Sequence, residues 1–111
     1  VIFQPHLFSR TREFAKEFAQ ALSMADRAHV LDIYPARELP IEGVTSELIT
    51  GAGFSEVRYA TAEDAIEDIV TCAQDGDIVM TVGAGDVTAL GARLLESLEI
   101  RHGGESKKSE A

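Results

Sequence analysis

Four short apolar runs, each followed by a stretch of helical periodicity, leave this chain little choice of fold. The runs are Val1 to Phe3, Ala28 to Tyr34 with Val30, Leu31 and Ile33, Val57 to Tyr59, and Ile78 to Val82. Strands joined through a helix must run parallel, with right-handed crossovers and helices covering the sheet faces. An α/β domain follows, with every strand-end loop on one edge of a mostly parallel sheet. Ile78-Val79-Met80-Thr81-Val82 is the most continuously apolar run and predicts a central strand covered on both faces.

The connecting segments carry their own signals. Phe14, Phe18, Leu22 and Ala25 fall on one helical face, opposite Glu13, Lys16, Glu17 and Gln20. Thr45 or Ser46 can cap a short helix through Ile49, which Gly51 and Gly53 end by supplying left-handed geometry. Thr61 with Asp64 resembles a capping box, and Ala62, Ala65, Ile66, Ile69, Val70 and Ala73 form the apolar face of a third helix. Asp75-Gly76 turns the chain, and Val87, Leu90, Leu94 and Leu98 line a last helix. From Arg101 the Gly/Lys/Ser/Glu mixture has nothing to bury, so residues 1–100 are expected to fold and 101–111 to form a disordered tail. Cys72 lies within a helical apolar pattern and is expected to pack in the core.

A formal net charge of −9 over 111 residues argues against nucleic acid or an anionic membrane as partner, since both need a positive face. Against that acidic background Arg10, Arg12 and Lys16 form a local basic cluster. No stretch is long and apolar enough to span a membrane, and no signal segment opens the sequence, so a cytoplasmic location is expected. A start directly on a strand, without Met, suggests a domain of a longer protein.

The cluster sits in the most informative stretch, Gln4-Pro5-His6-Leu7-Phe8-Ser9-Arg10-Thr11-Arg12. There a strand end meets a helix start, which is where open α/β sheets bind ligands. Guanidinium forks and a helix amino end suit a carboxylate or phosphate. The plainer reading has Ser9 or Thr11 capping the helix, the arginines pairing with surface acids, and His6 as a loop residue. Tyr34 and Asp86 should converge on the same edge. Gly83-Ala84-Gly85 suggests close approach of backbone to a ligand, or only a tight strand-to-helix turn with Asp86 as cap. It lacks the third glycine of a dinucleotide fingerprint, since position 88 is Thr88. Asp32 has none of the companions of a phosphoacceptor site, and His29 and His102 lack metal-ligand spacing and read as surface residues. No phosphate loop, nucleophile elbow or histidine–cysteine cluster is present, so the chain has no complete catalytic apparatus and no metal site of its own.

Four stretches in order, Phe3-Gln4-Pro5-His6-Leu7-Phe8-Ser9-Arg10-Thr11, Asp32-Ile33-Tyr34-Pro35-Ala36-Arg37-Glu38, Gly43-Val44-Thr45-Ser46 and Gly83-Ala84-Gly85-Asp86, resemble the C-terminal domain of the Mur ligases. Among them the likeness is to those that add the first amino acid of the peptidoglycan peptide. The resemblance implies a three-layer Rossmann-like domain that closes over a site built with an N-terminal UDP-sugar domain and a central ATPase domain of the same chain. It implies an ATP-dependent, Mg2+-requiring reaction in which the carboxylate of UDP-N-acetylmuramate becomes an acyl phosphate and is attacked by L-alanine. His6, Arg10 and Arg12 would face the amino acid and the phosphates, bordered by Tyr34, Gly83, Ala84, Gly85 and Asp86. Two departures stand out: Leu7 replaces an arginine common in the family, and the family's earlier strand and helix are absent. A peptide-adding relative, or a non-catalytic flavodoxin-like module holding a small anion, are the alternative readings.

Overall fold

The computed structural model describes residues 1–83, 85 and 87–110, with residues 102–110 described by backbone alone. Elements follow in the order β1 (Ile2–Gln4), α1 (Phe8–Leu22), β2 (Ala28–Val30), α2 (Glu47–Thr50), β3 (Val57–Tyr59), α3 (Ala62–Cys72), β4 (Thr81–Gly83) and α4 (Val87–Glu110). The division at residue 100 falls largely on side chains outside this description and remains a proposal.

The strands form one sheet in the order β3-β2-β1-β4, every pair parallel. Strand alternation then sorts the core into two halves. Phe3, Val30 and Val57 point to one face and pack with Ala19, Ile49, Phe18 and Leu22 of α1 and α2. Ile2 and Leu31 point to the other and pack with Ile66, Ile69, Val87, Leu90 and Leu94 of α3 and α4. Right-handedness requires this split: the chain moves outward from β1 to β3, reverses, and crosses back to β4, so the later helices must lie on the opposite face. The result is a three-layer α/β domain. Strand order reverses between β1 and β4, the position at which open α/β sheets bind their ligands.

Several local expectations hold. Thr61 Oγ1 accepts from the Asp64 N–H at 3.1 Å, one half of the capping box. Others are corrected. The run from Ile78 is not central: β4 lies at a sheet edge, with Ile78 84% and Met80 51% exposed. A continuous apolar run cannot by itself distinguish a strand covered on both sides from one with an open flank. Phe14 departs from helical geometry (φ −114°, ψ 15°) and is half exposed, so α1 is kinked there. Gly51 ends α2 at φ −81° without left-handed geometry. Of the two cap candidates, Ser46 spends its hydroxyl on the Leu31 carbonyl, whereas Thr45 Oγ1 accepts from the Glu47 N–H at 3.2 Å, at the start of α2.

Candidate functional site at the β1–β4 crevice

Beyond β1 the chain continues as Pro5-His6-Leu7 alongside the continuation of β2. The Tyr34 N–H donates to the Pro5 carbonyl at 2.8 Å and the Leu7 N–H donates to the Tyr34 carbonyl at 2.9 Å. These bonds make His6 and Tyr34 direct parallel neighbours and stack their rings, with centroids 6.1 Å apart and planes 20° from parallel. Of the three residues expected to converge on this edge, His6 and Tyr34 do so, and Asp86 lies outside the described residues.

Gly83 and Gly85 pack from the β4 side against the end of β1 and the Tyr34 ring. A Cβ on Gly83, at φ +126°, would lie 2.4 Å from the Gln4 carbonyl oxygen, and one on Gly85, at φ +78°, would lie 2.5 Å from Tyr34 Cδ2. Both glycines are therefore required by close approach, and the approaching groups are the protein's own backbone and the Tyr34 ring. Ala84 and Asp86 lie outside the described residues, as does the cap role expected of Asp86.

Gln4 was not singled out by sequence. It is 8% exposed, accepts from the Val87 N–H at the start of α4 through Oε1 at 3.2 Å, and donates from Nε2 to the Asp32 carbonyl at 3.4 Å. It thus ties β1, α4 and the β2 loop together. The available signal was an amide between buried Phe3 and Pro5, at the end of a strand with no other polar side chain.

The start of α1 differs from both readings of the sequence. Neither Ser9 nor Thr11 is a capping acceptor. The Thr11 hydroxyl donates to the Leu7 carbonyl at 2.8 Å, and Leu7, at the N-cap position, carries no side-chain cap. The Glu38 carboxylate fills that role from the following loop. It accepts from the Ser9 N–H at 3.0 Å and from the Ser9 hydroxyl at 2.5 Å. Those Ser9 bonds, aided by the nearby Arg12 charge, hold the Glu38 carboxyl below its ordinary range. Arg10 and Arg12 are exposed on the first turn, and among the described residues neither forms an ion pair. A cleft of about 650 Å³ opens on the same strand-end edge, lined by Gln4, Asp32, Tyr34, Thr61, Leu90 and Arg93 among others. Tyr59 donates toward Asp32, which raises its phenol pKa.

Two further expectations fail on the α3 side. His29 is buried rather than on the surface, with Nε2 3.0 Å from Asp68 Oδ2, and Asp68 also receives Arg27 at 3.0 Å. Strand alternation turns His29 toward α3, where a carboxylate is waiting. Cys72 is exposed, 3.7 Å from Asp68 Oδ1, because it lies on the flank of α3 that carries Asp68, one turn further on, while Ile69 and Ala73 on the inner face pack against the core. The side chain of His102 lies outside the description.

An all-parallel sheet with helices on both faces, and a strand order that reverses beside β1, defines the Rossmann-like class of α/β domain. No family model matches the chain. It is similar to UDP-N-acetylmuramate–L-alanine ligases: 57% identical to that of Renibacterium salmoninarum over 94% of this chain and 23% of the relative, and 59% identical to that of Paenarthrobacter aurescens over 88% and 21%. The Thermobifida fusca ligase is 59% identical over the same shares, 88% and 21%. The chain is homologous to one segment of these ligases, and it spans about a fifth of the length of the curated relatives it matches.

Proposed function

We propose that this chain is the closing domain of an ATP-dependent ligase that joins L-alanine to UDP-N-acetylmuramate through an acyl phosphate in peptidoglycan synthesis, in the cytoplasm. The observation that carries the reading is identity of 57–59% across 88–94% of the chain to ligases so named. The gathering of His6, Tyr34, Gly83 and Gly85 around the end of β1 is consistent with it.

In this reading Arg10, with His6, engages the alanine carboxylate or the acyl-phosphate oxygens, and Arg12 supports them. A guanidinium on a helix amino end is suited to a carboxylate or phosphoryl oxygen, because it offers two parallel N–H donors. The His6–Tyr34 stack and the glycine turn would form the wall that shields the acyl phosphate from water. The residues present do not fit an ATP–Mg2+ site of their own. The sequence has no phosphate loop, and among the described residues no three His, Cys, Asp or Glu side chains gather to hold a metal. Nucleotide, metal and UDP-sugar would be held by the central and N-terminal domains.

The test is alanine-dependent phosphate release by the ligase that carries this chain. His6→Ala and Arg10→Ala should each lower it by about two orders of magnitude or more, with circular dichroism unchanged. Wild-type kinetics in both variants would refute the assignment. Offering a tripeptide in place of L-alanine separates this reading from a peptide-adding relative. Turnover in neither case, with anion binding retained, would favour the non-catalytic module.

A further inference from the structure

Leu7 leaves the leading N–H groups of α1 without a local acceptor, and Glu38 supplies one from 29 residues further along the chain. It arrives on a tight turn, closed by the Glu38 N–H donating to the Pro35 carbonyl at 2.8 Å and passing through Ala36 at φ +53°. That turn begins one residue after Tyr34, whose N–H and carbonyl are both bonded to the Pro5–Leu7 stretch. His6 is therefore held between two anchors that come from a single five-residue segment, Tyr34 to Glu38. One anchor is main chain on main chain; the other is the Glu38 carboxylate on the first turn of α1.

We propose that Glu38 is a positioning residue of the substrate-facing turn: by clamping the first turn of α1 to the 35–38 turn, it fixes the direction in which Arg10 leaves the helix relative to the His6–Tyr34 stack. The proposal rests on the reading above, in which Arg10 and His6 meet substrate. Glu38 itself has its oxygens committed to Ser9 and does not touch substrate. Its contribution is pre-organisation, since a helix end that frays would let Arg10 wander by an ångström or more, enough to cost a large factor in rate. The carboxylate also supplies negative charge where the helix dipole favours it, offsetting two arginines that oppose the dipole.

Two measurements test this. In the ligase that carries this chain, Glu38→Ala should lower kcat/KM for L-alanine about 10- to 100-fold and leave KM for ATP unchanged. Glu38→Gln, whose amide oxygen can still accept from the Ser9 N–H, should recover to within about threefold of wild type. In the 111-residue chain, Glu38→Ala should speed amide hydrogen exchange at Ser9, Arg10 and Thr11 at least about tenfold, with α3 unaffected, whereas Glu38→Gln should not. If Arg10→Ala collapses activity while Glu38→Ala does not, the clamp is overturned and the site reading stands. If Arg10→Ala is itself wild-type, both fall, and the exchange data reduce Glu38 to a helix cap. Loss of activity in Glu38→Gln equal to that in Glu38→Ala, with exchange preserved, makes charge rather than position the cause and overturns the clamp.

Discussion

Leu7 carries the clearest backbone cost at the strand-end edge. Its φ of 69° and ψ of 139° lie in a region that a side chain with a Cβ rarely enters, at a cost of about 1–3 kcal/mol. The conformation persists because its N–H is taken by Tyr34 and its carbonyl by both the N–H and the hydroxyl of buried Thr11. Leu7→Gly should therefore raise the urea midpoint, by about 1 kcal/mol of stability after the glycine's own entropy cost. Leu7→Val should lower it, and a lower midpoint for the glycine variant would show that the leucine side chain's packing outweighs its strain. At this scale the sequence was legible where chemistry is local: the proline, the histidine and the need for glycine at 83 and 85. It was not legible where the partner is remote. Nothing near Ser9 announces Glu38, and nothing near Gly85 announces the Tyr34 ring.

At the level of elements, the contact between β2 and α3 links packing to pH. Burial pulls the pKa of His29 below its ordinary 6.5, against the opposing pull of Asp68, and the Arg27 guanidinium and the Val1 amino group add to the lowering. The unfolded chain therefore takes up a proton before the folded one as pH falls. Stability should decline from about pH 6.5 downward, by no more than about 1.4 kcal/mol per unit, until the folded ring titrates as well. Asp68 and Glu38 act in a separate window. Burial alone would raise Asp68, but Arg27 and His29 outweigh it, and both carboxyls end below their ordinary values. Their contributions are present at neutral pH and vanish only in stronger acid. Urea titrations from pH 8 to 5 should show the decline in wild type and lose it in His29→Gln. An unchanged slope in that variant would rule His29 out as its source. Helix periodicity alone placed Ile66 and Ile69 correctly, but it could not tell that the strand facing them would turn a histidine inward.

For the whole molecule, layer architecture was legible and strand order was not. Alternating strand and helix patterns fix a parallel sheet, yet only the reversal after β3 decides that β4 joins the far side of β1. Among the described residues that leaves β4 with a free hydrogen-bonding flank beside Ile78 and Met80, 84% and 51% exposed, and Val82 at 39%. Open apolar edges of this kind template pairing with another strand. The 111-residue chain should therefore self-associate, and Ile78→Lys with Met80→Lys should shift it to monomer in sedimentation velocity with the fold retained. A wild-type chain that sediments as monomer at high concentration would sink the idea.

The hydrogen bond from the Val87 N–H to Gln4 spans 83 residues, which has a consequence in time as well as space. Contacts that distant form late, because the intervening chain must be ordered before the loop they close is worth closing. During synthesis β1 and its arginine turn emerge well before β4, but the edge they share is not complete until α4 has begun. Between the appearance of His6 and that of Val87, the strand end that carries Gln4 is therefore without the partner that fixes it, and the β1–β4 edge is completed in a single late step.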